Sequence, residues 1–600
     1  MAGDKILVLD DQLVGPLGLV APSTFLKENG VKKIFKLTDK PFDTDLKNVI
    51  YIVRPRMHLM KWIGNQVSHF KKAGKNISVF LVPRKTLICE RILEEIGIVG
   101  DIKVGEFALD LIPMDDDILS MEIPSSFKEC NLDGDLSSLY YVARSIMKLQ
   151  SFYGLIPHIK VKGENARNVY DMVLRMRKQV GSEVFNAAPE INTLILIDRK
   201  VDLITPMVTQ HTYEGLIDEL FGIKHNIFQP QFQCVPDVPP SSNPKVLLNS
   251  NDNIYSRIRD LNQQLVGRSL NKSALEIDKK TQAKKDLKTV QQIKEFTEKL
   301  PMLQEDKKNL EIHIKIAEHI NHLIGKSSFR KYVQAQLEAL GGDDERTVTS
   351  YIEEMIDKQE PLIKVLRLLC LQSVTQNGLK KVNFENFRRD IVQSYGIESL
   401  LILNNLDKCG LIKKQGEGNR KYSWRNFSTG LFLYKEDTME LPDDKSRTDI
   451  HAVHSGYAPL SVTLVERAMA EDGKGWNLIA DLLEHLPGDR VEVVQKGAMD
   501  TQPGKKVVLV YYIGGITFAE LSALRYLNEV SQHCEYIVAT TKLINGDTFL
   551  ETLIEDVDNS SRFKKRAVSG LSLIQSISVQ DDRNVSSPGD EVKSDGGDEK

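Results

Sequence analysis

The chain has 600 residues, a formal net charge of −4, 41% hydrophobic and 27% charged residues, and a length beyond what one hydrophobic core serves predicts two to four domains. The near-neutral balance excludes a general electrostatic attraction to nucleic acid or to an anionic membrane. Six cysteines scattered without a CxxC pair exclude a disulfide framework or zinc module and suit a reducing cytosol.

The opening MAGDKILVLDDQ lacks a basic region followed by an unbroken apolar run, so it reads as a first strand and not as a secretory signal. No window approaches the roughly 18 uncharged apolar residues of a membrane span, so membrane association is expected to be peripheral. From residue 5 to about 125, KILVLD, KKIFKL, NVIYIVRP and ISVFLVPR read as strands, with APSTFLKENG and KTLICERILEEIG as intervening helices. Buried parallel strands flanked by helices give this pattern, and it predicts a first α/β domain over 1–126.

The pattern returns at TLILIDR, 193–199, and a helix at 212–223, then stops until KKVVLVYYIGGITFAELSALRYLNEV, 505–530, and CEYIVATTKLINGDTFLETLIE. Insertion between elements is tolerated where chain ends lie close, so 127–238 and 481–570 are expected to form one discontinuous α/β domain. The residues between, 239–480, read as a mainly helical insert. Leu303, Leu310, Ala317 and Ile324 recur every seven residues with Ile314 and Ile320 alongside, an amphipathic helix. Pro301 follows TVQQIKEFTEKL, which predicts a helical hairpin near 288–325 with its tip at Pro301. A smaller subdomain is expected near 380–435, with a short β-hairpin at KYSWRNF. Residues 571–600 are polar, acidic and rich in Ser and Gly, a composition expected to stay disordered.

Several stretches invite a chemical reading. Gly325-Lys326-Ser327 ends like a phosphate loop, but position 320 is Ile where the first glycine belongs, and a helix precedes it instead of a strand. Glu318, His319 and His322 share a helix face without completing HExxH. No cofactor or metal site is expected. Asp198 and Asp202, at the C-terminal end of the apolar run Leu194–Ile197, come closest to an active site, because open α/β sheets bind ligands there. Two readings stand: a metal-dependent phosphotransferase that uses both carboxylates, or a structural role in which Asp198 caps the turn.

LILIDRKVDLITPMVTQHTYEGLIDELFGI, 194–223, resembles the signature segment of the SM family, regulators that grasp SNARE proteins during membrane fusion. VGPLGLVAPSTFLKENGV, VFLVPRKTLICERIL, LIKVLRLLCLQSV, HSGYAPLSV and GGITFAELSALRYL are similar to the vacuolar and lysosomal branch, the SM subunit of the HOPS and CORVET tethering complexes. The resemblance covers residues 5 to about 556. Family members carry a helix before the first strand, whereas this chain opens almost on it, and the acidic tail exceeds the usual end.

The resemblance implies a three-domain arch: two parallel-sheet α/β domains and a mainly helical inserted domain. It implies no enzymatic activity, and it assigns Asp198 and Asp202 to support of the second sheet. The partners it implies are syntaxin-like Q-SNARE and R-SNARE helices and a helical-repeat subunit of the complex, at endosomes, late endosomes, lysosomes or vacuoles. On the predicted helical hairpin, Pro301, Met302, Leu303, Lys307, Leu310 and Ile314 are the expected SNARE contacts, with Lys308 beside Lys307 to steer acidic flanks. Tyr422, Trp424 and Phe427 are the expected contacts to the tethering partner, because aromatics concentrate interface energy. A basic run at Arg562–Arg566 offers contacts to lipid phosphates. The competing reading is a scaffold of a trafficking complex that does not template SNAREs.

Overall fold

The structure, a computed structural model, describes residues 3–554 apart from 71–73, 181–186, 237, 240–241, 243, 283–289, 343–344, 417–423, 436–448, 471–474 and 496–503. Tyr422, the Arg562–Arg566 run and the expected tail at 571–600 lie outside the described residues.

Five strands, β1 (Lys5–Leu9), β2 (Val31–Lys36), β3 (Asn48–Val53), β4 (Asn76–Leu81) and β5 (Ile102–Glu106), form a parallel sheet in the order β2-β1-β3-β4-β5. Helices cover its faces. The Met57–Phe70 helix turns Leu59, Met60, Ile63, Val67 and Phe70 inward, against Val49, Tyr51 and Val53, the alternate side chains of β3 that pack in the same core.

A second, seven-stranded sheet uses both chain segments. Its strands are β6 (Ile112–Asp115), β7 (Ile118–Ser120), β8 (His158–Lys162), β9 (Thr193–Asp198), β12 (Arg490–Val494), β13 (Lys506–Ile513) and β14 (Cys534–Thr540), ordered β12-β8-β9-β13-β14-β7-β6. The remaining pair, β10 (Ile227–Phe228) and β11 (Val246–Leu247), makes a small antiparallel ribbon. At the centre of the large sheet β9 runs parallel to β13, with Ile195 opposite Val510 and Asp198 opposite Ile513. The expected division at 126 assigns residues 112–120 to the first domain, but β6 and β7 pair in the second sheet, β7 alongside β14. Runs of three or four apolar residues carry too little pattern to show which sheet they join.

Strand β9 is buried along its whole length, and its two faces serve different cores. Leu194 and Leu196 pack with Leu509, Tyr511 and the helices Ser137–Tyr153 and Glu164–Val180. Ile195 and Ile197 belong to a core that continues through Val508 and Val510 into the helical insert at Val365, Leu366, Leu369, Ile391 and Leu406. The insert is therefore bonded by apolar burial to the sheet it interrupts, the dominant favourable contribution to such a junction.

Two expectations for the insert are corrected. Pro301 is not a hairpin tip, because it lies inside one helix of 35 residues, Val290–Ile324. The hairpin partner is Gln263–Gln282, ahead of it in sequence. Proline costs a helix interior about 3 kcal/mol in isolation, which the packing of Leu310, Ile312, Ile316, Ala317 and Ile320 against Val266, Leu270 and Ile277 offsets. Nor does KYSWRNF end in a strand: Trp424–Gly430 is a short helix.

Candidate functional site

The carboxylates that most resembled a catalytic pair are consumed by local structure. Asp198 is fully buried, and its oxygens accept the backbone N–H of Asn165 at 2.9 Å and of Lys200 at 3.0 Å. Burial pushes its carboxyl above the ordinary range against those two donors. Gly163 makes the approach possible, since a Cβ there would sit 2.3 Å from Asp198 Cβ and its φ is +107°.

Asp202 accepts the N–H of Ile204 and Thr205 on one oxygen. On the other it accepts the Thr205 hydroxyl at 2.6 Å and the Ser461 N–H at 3.0 Å. Arg199 between them is fully buried: its Nη1 donates to both Glu520 oxygens at 2.9 Å, and its Nη2 lies 3.2 Å from Asp202. Burial alone would lower the guanidinium pKa, and Glu520 and Asp202 more than offset that, so it is raised. Glu520 also closes a capping box with Thr517 on the Phe518–Val530 helix. Among the described residues no group of three His, Cys, Asp or Glu is placed to hold a metal ion.

The helix Tyr213–Phe221 that follows fastens three parts of the molecule together, and its N-terminus is capped by the Thr212 side chain. Tyr213 reaches His313 on the long helix at 2.9 Å, and His313 reaches Asp252 at 3.1 Å. Glu214 accepts from Arg525 at 2.8 Å and from the Tyr255 hydroxyl at 2.6 Å, while Arg525 also binds Asp117 and Asp260. Asp218 accepts from Asn545 and from the Ile223 N–H. Glu219 takes the forked Arg367 guanidinium at 2.7 and 2.9 Å, an arginine that also donates to the Met207 and Val208 carbonyls. Arg367 comes from the insert, and Arg525 and Asn545 from the returning segment. Buried and doubly hydrogen-bonded, these pairs fix geometry, and removing one partner strands a charge.

The long helix so anchored divides its faces. Leu303 (8% exposed) and Leu310 (6%) point inward, and Ile314 is half-buried against the core shared with the Gln263–Gln282 helix. These three are packing residues, which corrects their expected role as exposed anchors: an apolar heptad stripe on a helix already paired is spent on that pairing. Pro301, Met302 (52% exposed), Lys307 and Lys308 face solvent, as does Leu275 on the partner helix. Trp424 and Phe427 are also corrected. Both are buried, and Trp424 Nε1 donates to the Leu340 carbonyl at 2.7 Å.

The model of the Sec1 family matches residues 5–552. The chain belongs to the Sec1 family. Relatives of this Sec1-family chain include vacuolar protein sorting-associated protein 33A of Rattus norvegicus, 41% identical over 92% of this chain and 94% of the relative. The vacuolar protein-sorting-associated protein 33 homolog of Arabidopsis thaliana is 37% identical over the same shares. Among solved structures, the SM protein Vps45 in complex with the Qa SNARE Tlg2 aligns with a TM-score of 0.59 at 16% identity, covering 93% of this chain and 95% of that one. The Unc18–syntaxin 1 complex from Monosiga brevicollis aligns with a TM-score of 0.59 at 16% identity, covering 93% and 96%. At such identity the likeness is one of fold, the SM fold of parallel-sheet α/β regions and a helical insert.

In this Sec1-family fold the signature segment acts as a fastener. Its polar residues were legible as a cluster, but the partners they find were not: His313 for Tyr213, Arg367 for Glu219, Arg525 for Glu214 and Glu520 for Arg199 each lie a hundred or more residues away in sequence. A buried-charge argument holds the missing signal: Glu214 and Glu219 stand among Tyr213, Leu216, Ile217, Leu220 and Phe221 in one short helix, which predicts cationic partners without naming them.

Proposed function

We propose that this Sec1-family protein binds SNARE helices and holds them in register as the SM subunit of a HOPS- or CORVET-type tethering complex, and that it breaks and forms no covalent bond. The observation that carries the reading is the long helix Val290–Ile324. It has 35 residues, about 50 Å at 1.5 Å per residue, with one face in the core and the other, including Pro301, Met302, Lys307 and Lys308, open. Proteins of similar fold have been solved in complex with a Qa SNARE, with syntaxin 1 and with an N-terminal peptide of Sed5p. The relatives in sequence are vacuolar protein-sorting proteins.

SNARE motifs are amphipathic segments, disordered alone and helical when paired. Nucleating such a helix is unfavourable, with a Zimm–Bragg constant of about 10⁻³, and two must also start in the same register. A preformed helical surface lowers both costs by helix-in-groove recognition. Met302 is the apolar contact of this surface, and Lys307 and Lys308 attract acidic SNARE flanks. Both a Q-SNARE and an R-SNARE segment are the proposed cargo, and a helical-repeat subunit is the proposed neighbour. Among the described residues no helix is long and apolar enough to cross a membrane. Endosomal, lysosomal or vacuolar membranes are the proposed place of action, with the tethering complex as the proposed link to them.

Crosslinking with mass spectrometry of the protein mixed with Q-SNARE and R-SNARE segments and the repeat-domain partner tests this. Links from SNARE segments to Lys307 and Lys308 are expected. The reading fails if neither segment binds in calorimetry.

A further inference from the structure

The signature segment carries one charge its internal network does not use. Asp198, Arg199 and Asp202 are engaged inside the fold, whereas Lys200 lines a cavity of about 160 Å³. The cavity opens at the carboxyl end of β9, the edge at which parallel sheets present ligand sites, between the second sheet and the helical insert. Lys413 and His485 line it as well, with Leu460, Leu486 and Pro487 as an apolar lining.

The geometry is built. The Lys413 N–H donates to Ser373 Oγ at 2.9 Å, and its side chain lies over Gly410, where a Cβ would meet Lys413 Cε at 3.1 Å. Among the described residues neither ammonium forms an ion pair with a carboxylate. Asp407 and Asp198 act on Lys413 and Lys200 only at longer range, and Lys408 adds a further positive charge nearby. Asp202 lines the cavity too, but its oxygens are held by Thr205, Ser461 and Arg199. Burial and then Lys200 lower the Lys413 pKa, and Asp407 only partly offsets them, as expected for two like charges facing one space.

We propose that this cavity binds a single phosphate group, free or on a small monoester such as an inositol phosphate headgroup. Two ammoniums and an imidazole beside apolar walls suit a compact polyvalent anion and repel a metal cation. The volume holds about five waters at roughly 30 Å³ each, well under the 300–1,000 Å³ or so of sites that engulf a nucleotide-sized ligand.

The test uses the full chain. Its melting temperature in inorganic phosphate is compared with that in chloride at equal ionic strength, for the wild type, Lys413→Gln, and Lys200→Gln with Lys413→Gln. A rise of about one degree or more at ten times the dissociation constant is expected for the wild type. It should be reduced in the single variant and absent in the double, which in chloride is no less stable than the wild type. Sedimentation with phosphatidylcholine vesicles, with or without phosphatidylinositol phosphate, separates the sources. Pelleting that the double variant loses assigns a headgroup, and a phosphate response without pelleting assigns a soluble ligand. An equal phosphate response in wild type and double variant, or no response to phosphate and vesicles alike, overturns the site. Neither result bears on SNARE binding, which uses the helix Val290–Ile324.

Discussion

Tyr213 Oη lies 2.9 Å from His313 Nδ1, so the first residue of the signature helix holds the middle of the 35-residue helix, with both side chains buried. His313 Nε2 is 3.1 Å from Asp252, whose carboxyl is lowered, against its own burial, by the imidazole and by two N–H donors. Tyr213→Phe keeps the ring and removes the hydroxyl, leaving a ring nitrogen buried without a partner. The expected cost is about 1–3 kcal/mol, read by urea denaturation. Hydrogen exchange should quicken along residues 305–324 and stay unchanged in β9 and β13. Uniform exchange would show that the long helix does not depend on this contact.

Arg367 is the second fastener. Its fork joins Glu219 while its Nε and Nη2 serve the Met207 and Val208 carbonyls. Arg367→Ala strands the Glu219 charge and two carbonyls, and should destabilise by about 3–5 kcal/mol. Arg367→Lys keeps the charge but cannot reproduce the fork, so a smaller loss is expected. Chemical denaturation of both variants orders them, and equal losses would mean that charge alone matters here.

The two faces of the long helix should separate binding from folding. Met302→Glu, with Lys307→Glu and Lys308→Glu, changes exposed side chains. These are expected to leave the melting temperature within about a degree, since surface substitutions stay within about ±0.5 kcal/mol, while weakening SNARE-segment affinity at least fivefold in calorimetry. Leu310→Ala removes a core side chain and should cost about 2–5 kcal/mol. The same holds for Trp424→Ala, at about 3–5 kcal/mol, because its indole packs near Tyr457 and Phe427 and bonds a backbone carbonyl. Loss of partner binding by Trp424→Ala without loss of stability would contradict its burial.

Which parts of this were legible in the sequence follows from range. Strand β9 announced itself because both faces are buried, which makes an unbroken apolar run. The two-segment sheet was readable because β9 and β13 share that composition on either side of a helical stretch. Strands β6 and β7 were not, since three or four residues carry no period. Pro301 misled because a local rule, that proline ends helices, was outweighed by the packing of the helix's Leu310–Ile324 half. Trp424 and Phe427 misled because a polar neighbourhood in sequence says nothing of which way a side chain turns. The network partners of the signature helix were invisible for the same reason: Glu214 and Arg525 meet only after the chain has left the sheet and returned.

Three buried groups make opposing contributions to the dependence of stability on pH, beside Asp198, Glu214 and Asp547, whose carboxyls burial also raises, and His158 and His319, whose imidazoles burial lowers. Burial, then Glu219, pushes the Asp218 carboxyl up from 3.8 to about 7 against the Ile223 and Asn545 donors. Burial pulls His454 from 6.5 down to about 4 and, with His454 nearby, His211 to about 3. For Asp218 the folded pKa exceeds the unfolded one, so its contribution is complete below about 4 and is lost as pH rises to about 7. For the histidines the folded pKa is depressed, so their contribution is complete above about 6.5 and is lost as pH falls toward 4. Between pH 4 and 6.5 the unfolded chain therefore holds two more histidine protons and one fewer carboxyl proton than the native one. These groups then give a net slope of about one proton, about 1.4 kcal/mol per pH unit, with stability rising toward neutrality. Asp218→Asn removes one opposing group, so the slope should steepen by about one proton relative to the wild type. His454→Gln should lower the slope by about one proton relative to the wild type. Urea midpoints of the three proteins at pH 5, 6, 7 and 8 measure these slopes, and an unchanged slope in either variant would remove that group from the account.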